Sequence, residues 1–170
     1  MDKHLDVYLR VMGCDPFGNN FPHTSVTIKS SDPPCDYFET GAMIIVSERL
    51  KNVLNEFCIH AEFFKIKIIF KNIIYTDQDI YFCHILDCID CFDYEKSIFT
   101  LHDKLGFTDR IKSVSRLVID EDKTSSCHLF RIAKGAEYII CASDILAAEL
   151  LANHFSGMNI VRPEEWRFGC

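Results

Sequence analysis

The sequence predicts an α+β protein: a mixed, mainly antiparallel sheet with two covering helices, organised around an internal strand-helix-strand duplication. Two apolar runs each lead through a serine into a helical stripe. The other apolar runs are short and strand-like, and most of their links are too brief for crossovers. Composition agrees, since 48% of the 170 residues are hydrophobic and 12% aromatic, enough for the core of a single domain.

Taken in order, residues 1–35 read as short strands joined by turns. Leu5 to Met12 alternates and stops at Gly13, and Asp15 to Asn20 is a run of turn-formers. Thr24 to Lys29 is β-branched, and Ser30 to Pro34 ends it; the pair Pro33-Pro34 is the best linker but too short to divide the chain. Residues 36–70 form the first unit. Met43 to Val46 is an apolar strand, Ser47 can cap a helix, and Glu48 suits the positive end of the helix dipole. Leu50, Val53, Leu54, Phe57 and Cys58 then follow one buried helical face, and Glu62 to Ile68 alternates as a strand. Residues 71–127 supply middle strands over Ile80 to Leu86, Ile98 to Leu101 and Ser113 to Ile119. Asp120 to Lys123 is a polar turn, and Cys127 to Ile132 is a further strand. Residues 128–166 form the second unit: Ile139 to Ala142, the cap Ser143, Asp144, and a helix apolar around more of its circumference, expected to be the more deeply buried of the two. Gly157 should break that helix before an extended run over Met158 to Val161. At an offset of 96, Ile44, Ser47, Leu50 and Leu54 fall on Ile140, Ser143, Leu146 and Leu150, with Glu48 on Asp144.

Charge narrows the function. Asp plus Glu number 25 against 18 Lys plus Arg, a net charge of -7 and a pI near 5.4. Phosphate affinity comes from clustered Lys and Arg, so nucleic acid is a poor partner and a basic protein a good one. No run approaches the roughly 20 apolar residues of a membrane helix. The first six residues lack the apolar core of a secretory signal, and nine cysteines is an odd number, so reduced thiols in a cytoplasm are expected.

Acids are unevenly placed. Asp77, Asp79, Asp87, Asp90, Asp93 and Glu95 occur within one stretch that holds no Lys or Arg, and Asp120, Glu121 and Asp122 add three more. Asp87, Asp90 and Asp93 recur every three residues, as on one side of a helical turn. A solvated face is the ordinary reading of such a run; an anionic surface for a basic protein is the sharper one. Tyr81, Phe92 and Tyr94, interleaved with the acids, suit either an interface or a core.

Cys83, His84, Cys88 and Cys91 have zinc-ligand chemistry, but a structural site needs four ligands. Only one Cys-x-x-Cys pair occurs, and neighbours on a strand point to opposite sides. No metal or other cofactor is expected. Cys127-His128 are adjacent, the wrong geometry for a base serving a nucleophile, and no catalytic motif occurs. A metal-binding module, or less readily a Cys-His enzyme assembled in space, remains the alternative reading.

Three stretches carry a resemblance: Ile45 to Leu54; the middle Ile85-Leu86-Asp87-Cys88-Ile89-Asp90-Cys91-Phe92-Asp93-Tyr94-Glu95-Lys96-Ser97; and Leu129 to Ile132 followed by Ile139 to Asp144. In this order they resemble a bacterial family first catalogued as a domain of unknown function and later as immunity proteins of polymorphic-toxin systems. The resemblance covers roughly residues 36 to 166, including Pro163 to Trp166, and leaves the first 35 outside. It implies a non-enzymatic antitoxin that binds a cognate protein toxin and blocks it by occlusion. Charge then suggests the acids named above as the toxin-binding surface and a basic nuclease as one kind of toxin.

Overall fold

The computed structural model describes residues 3–22, 24–103 and 110–169. Among them are three helices and twelve strands, in the order α1 (Lys3–Gly13), β1 (Ser25–Ile28), β2 (Tyr37–Thr40), β3 (Met43–Ser47), α2 (Glu48–Glu56), β4 (Ala61–Lys65), β5 (Lys67–Phe70), β6 (Ile73–Ile74), β7 (Ile80–Ile85), β8 (Cys88–Ile89), β9 (Ile98–Leu101), β10 (Ile111–Arg116), β11 (Leu129–Ile132), β12 (Ile140–Ala142) and α3 (Asp144–Ala152). The α+β class holds. The strands divide among several small sheets, ordered β2-β3-β7-β4, β1-β5-β6, β12-β11-β8 and β10-β9. Pairing is antiparallel except where β1 meets β5 and β8 meets β11.

The central sheet is buried on both faces because strand side chains alternate. Ile45 and Phe82 join Val11, Phe17, Ile66, Ile68 and Ile80 on one side. Ile44, Val46, Cys83 and Ile85 lie on the other, beneath Leu50 and Leu54 of α2 and Leu146 and Leu150 of α3. A third cluster, including Phe92, Val114, Leu117, Phe130 and Ile132, packs under β10 and β11. Arg131, only 2% exposed, ties these parts together: its guanidinium donates to the carbonyls of Glu137 at 2.7 Å and Ala42 at 3.2 Å.

Both cap serines behave as their sequence context requires. Ser47 Oγ accepts from the Leu50 amide, and Ser143 Oγ accepts from the Leu146 amide. Ser47 also donates to Asp36 at 2.8 Å, and the same carboxylate takes Arg49 at 2.9 Å and the Ser156 amide and hydroxyl at 3.0 and 2.8 Å. The segment after α3 is thereby fastened to the start of α2. Burial would raise the Asp36 carboxyl, but the Arg49 guanidinium and the serine donors outweigh it and bring it down to about 2. Next in the chain, Gly157 sits at φ +87°, where a Cβ would collide with the Tyr37 carbonyl and the Cys35 sulfur.

Several local expectations are corrected. Leu5 to Met12 is not a strand but most of α1: Val7 and Val11, four apart, pack on the first cluster while Tyr8 and Leu9 stay exposed. The stretch carries both periods, and helical burial won. The run Glu62 to Ile68 breaks at Ile66, whose amide bonds the Ile80 carbonyl, into β4 and β5. Cys58 is exposed rather than on the buried face, because α2 ends at Glu56 and Cys58 turns the chain at φ +50°. The second helix is not the more deeply buried: α2 and α3 each bury two leucines, and Ile145 and Leu151 of α3 are 67% and 57% exposed. Met158 to Val161 forms no strand; Met158 and Ile160 pack on the core, and no strand among the described residues pairs with them. The second unit therefore reproduces the strand, cap and helix of the first, while β4 has no counterpart among the described residues.

Candidate functional site: the acidic surface

The acids foreseen as a surface fall into separate groups. Asp79 and Asp87 stand just beyond opposite ends of β7, a six-residue strand roughly 20 Å long. Asp79 pairs with Lys65 at 2.5 Å, and its carbonyl accepts the Glu48 amide at the start of α2. Asp77 is exposed two residues before it. Asp87 pairs with His60 at 2.9 Å and Asp90 with Lys134 at 2.6 Å.

The three-residue spacing of Asp87, Asp90 and Asp93 does not mark a helical turn. Backbone groups of this segment serve β11 instead: the Asp87 carbonyl accepts the Arg131 amide and the Ile89 carbonyl accepts the Ala133 amide, each at 2.9 Å. Local helical bonds would leave β11 without its partner.

Beyond β8 the chain brings two acidic stretches together. Phe92 bridges Ile119, the Asp93 amide donates to the Val118 carbonyl at 3.0 Å, and the Asp120 amide donates to the Cys91 carbonyl at 2.7 Å. Asp93, Lys96, Ile119, Asp120, Glu121 and Asp122 consequently line a cleft of about 370 Å³, with four carboxylates against one lysine. Asp93 accepts the amides of Glu95 and Lys96 and pairs with Lys96 at 2.9 Å, so the lysine and these donors hold its carboxyl below the usual range. Asp120 pairs with Lys123 at 3.2 Å, while Glu121 and Asp122 project from a single 3-10 turn. The structure thus joins Asp93 to Asp120, Glu121 and Asp122, leaves Glu95 exposed in the adjoining loop, and sets Asp77 and Asp79 apart.

The aromatics divide as well. Phe92 is a core residue against Tyr94 and Phe99, whereas Tyr94 is exposed beside the cleft-forming loop and donates to the Lys134 carbonyl at 3.1 Å. Tyr81 is half-buried under the Lys51 ammonium, 4.2 Å from its ring centroid.

Cys83 and His84 lie on opposite faces of β7, both buried. His84 is packed between Phe17 and Phe82 and bonds the Asp15 carbonyl at 2.8 Å. Among the described residues, no three His, Cys, Asp or Glu side chains are grouped to hold a metal. Burial pushes the thiols of Cys83 and Cys141 up to about 12 and that of Cys91 to about 11, which disfavours the thiolate a nucleophile needs. Cys88 moves the other way, because the Cys14 thiol hydrogen-bonds it. His128 bonds Ser143 Oγ at 2.8 Å rather than its neighbour Cys127.

Sequence reasoning missed the lysines that pair with four of the nine acids and the histidine that bonds a fifth, because those partners lie on other elements or outside the acidic run. It also missed the exposed apolar side of α3, although the signal, apolar residues all around the helix, was visible.

The fold is that of an α+β protein with charged, concave surface features, and no helix among the described residues is long and apolar enough to cross a membrane. The chain belongs to the Imm11 immunity protein family, which matches residues 14–162. That match begins just after α1 and includes the segment up to residue 35, so the family extends further toward the amino terminus than the resemblance did. Curated proteins contain no match to the chain.

Proposed function

We infer that this protein is a cytoplasmic antitoxin that binds a cognate toxin and covers its active site, acting by stoichiometric occlusion without turnover. Membership of the immunity family carries this reading. The acidic cleft supports the finer part of it, a toxin surface that is basic, as the cleft of a nuclease is: carboxylates gathered in one concave patch can occupy sites built for phosphate. Beside the cleft, Glu95, Glu121 and Asp122 are the acids best placed to face a partner, since Asp93 and Asp120 already pair with lysines of this chain, as Asp79 and Asp90 do elsewhere. Delivery by a type VI or contact-dependent system in bacterial competition is consistent with the role.

Growth rescue tests the function. Co-expression with the protein encoded immediately beside it should restore growth that the neighbour alone abolishes, through a complex that survives gel filtration. A harmless neighbour, or killing that persists beside this protein, would count against the antitoxin. The surface is tested by Glu95→Lys, Glu121→Lys and Asp122→Lys together. The folded triple variant should bind the toxin roughly 10- to 100-fold more weakly. Unchanged affinity would remove the acidic cleft from the interface and leave the antitoxin role in place.

A further inference from the structure

A second surface combines features that the acidic cleft lacks. The flank of α3 bearing Ala147, Ala148 and Leu151 faces the segment Met158 to Trp166 across a groove of about 780 Å³. Its floor reaches the core at Ile140, Leu150 and Ile160. Ala148, Leu151 and Val161 open to solvent along its length, and Ile145 extends the apolar surface beyond the lip at 67% exposure. Apart from Asp144 and Glu149 every residue of α3 is apolar, and a helix so apolar normally lies inside a protein. Here only Leu146 and Leu150 are covered, so the outer side of α3 is large apolar area left in water.

The rim selects an occupant. Glu39, Asp144 and Glu165 edge the groove, against the one cation Arg162, which sits 3.9 Å from Asp144 with both side chains largely exposed. An ion pair so wet and so long contributes little and leaves Arg162 able to turn to a partner carboxylate. A second copy of this chain fits poorly: a two-fold contact would set this acidic rim against itself, on molecules that each carry a net charge of -7. A complementary occupant has apolar side chains for the groove and Lys or Arg on either side for the rim.

We propose that the groove between α3 and the Met158–Trp166 segment seats an apolar, base-flanked segment of the toxin, forming the desolvated centre of the interface. This rests on the antitoxin reading and assigns it a surface separate from the acidic cleft. Leu151 then acts as an anchor, and the surrounding acids orient the partner.

The test uses the full chain and the same neighbour-encoded toxin, with binding measured by titration calorimetry. Ile145→Lys with Leu151→Lys changes two exposed positions and should leave the melting temperature near that of the unmodified protein. Affinity for the toxin should fall roughly 30-fold or more. Ile73→Lys with Ile74→Lys, at an equally exposed apolar tip of the β5–β6 hairpin, should leave affinity unchanged. A folded α3 variant that binds as tightly as the unmodified protein overturns the proposal. So does an unmodified protein that sediments as a dimer and becomes monomeric on Ile145→Lys with Leu151→Lys. If the unmodified chain binds no toxin, the antitoxin reading itself has failed, a result distinct from either.

Discussion

At the scale of the residue, burial sets the chemistry. His84 is fully buried, and burial holds its ring below the ordinary value of 6.5 against the opposing pull of the Asp15 carbonyl and the Glu62 carboxylate, which itself accepts the Phe17 and Gly18 amides. Above pH 6.5 the ring is neutral in both folded and unfolded chains, and it places no pH dependence on stability. Below 6.5 the unfolded chain takes up a proton that the folded one resists, so stability falls as the solution is acidified, by up to about 1.4 kcal/mol per pH unit. Denaturant titrations at pH 7.5 and 5.5 should show this loss in the unmodified protein and a smaller loss in His84→Phe. An equal loss in both would assign the pH dependence to other groups.

At the scale of the element, the two helices share one grammar and differ in what backs their caps. Ser47 donates to Asp36, a half-buried carboxylate that also takes the Arg49 guanidinium and the Ser156 donors. Ser143 meets His128 Nδ1 instead. Losing either cap oxygen costs about 1 kcal/mol, and losing a hydrogen bond to a charged group costs more than losing one to a neutral group. Ser47→Ala should therefore destabilise the protein by about 2 kcal/mol and Ser143→Ala by about 1 kcal/mol in equilibrium unfolding. Equal costs would show that the Asp36 junction contributes nothing beyond the cap. The same junction, with Gly157 wedged against Tyr37, sets where the segment after α3 begins and so one wall of the groove.

At the scale of the whole molecule, three apolar clusters on and beside one central sheet hold a surface with a net charge of -7. A field of that sign steers a basic partner and weakens once salt shortens its reach to a few ångströms. Raising ionic strength from about 0.05 to about 0.5 M should slow toxin association roughly tenfold or more while changing dissociation far less. An association rate indifferent to salt would contradict a basic toxin face. Combined with the α3 variant, the measurement separates steering by acids from anchoring by the groove.

The strand-serine-acid-helix units were legible because their causes are local: a cap oxygen meets an amide three residues on, and an acid meets the first turn of its own helix. The α+β class, the central strand Ile80 to Ile85, the net charge and the family followed from patterns of the same short range, together with the order of motifs along the chain. Other features depended on which surfaces meet. Leu5 to Met12 satisfies both a helical and a strand period, and only the pocket beneath Val11 chose between them. Asp93 joins Asp120 to Asp122 because Phe92 bridges Ile119, a long-range backbone pairing that no local spacing announces. The lysines that neutralise Asp79 and Asp90 come from other parts of the chain. The apolar circumference of α3 was plain in the sequence, but which half would be covered was decided by the packing of Leu146 and Leu150 on the core, leaving Ile145 and Leu151 in water. Local hydrogen bonding is written residue by residue, whereas burial belongs to pairs of surfaces and exists only once both have folded.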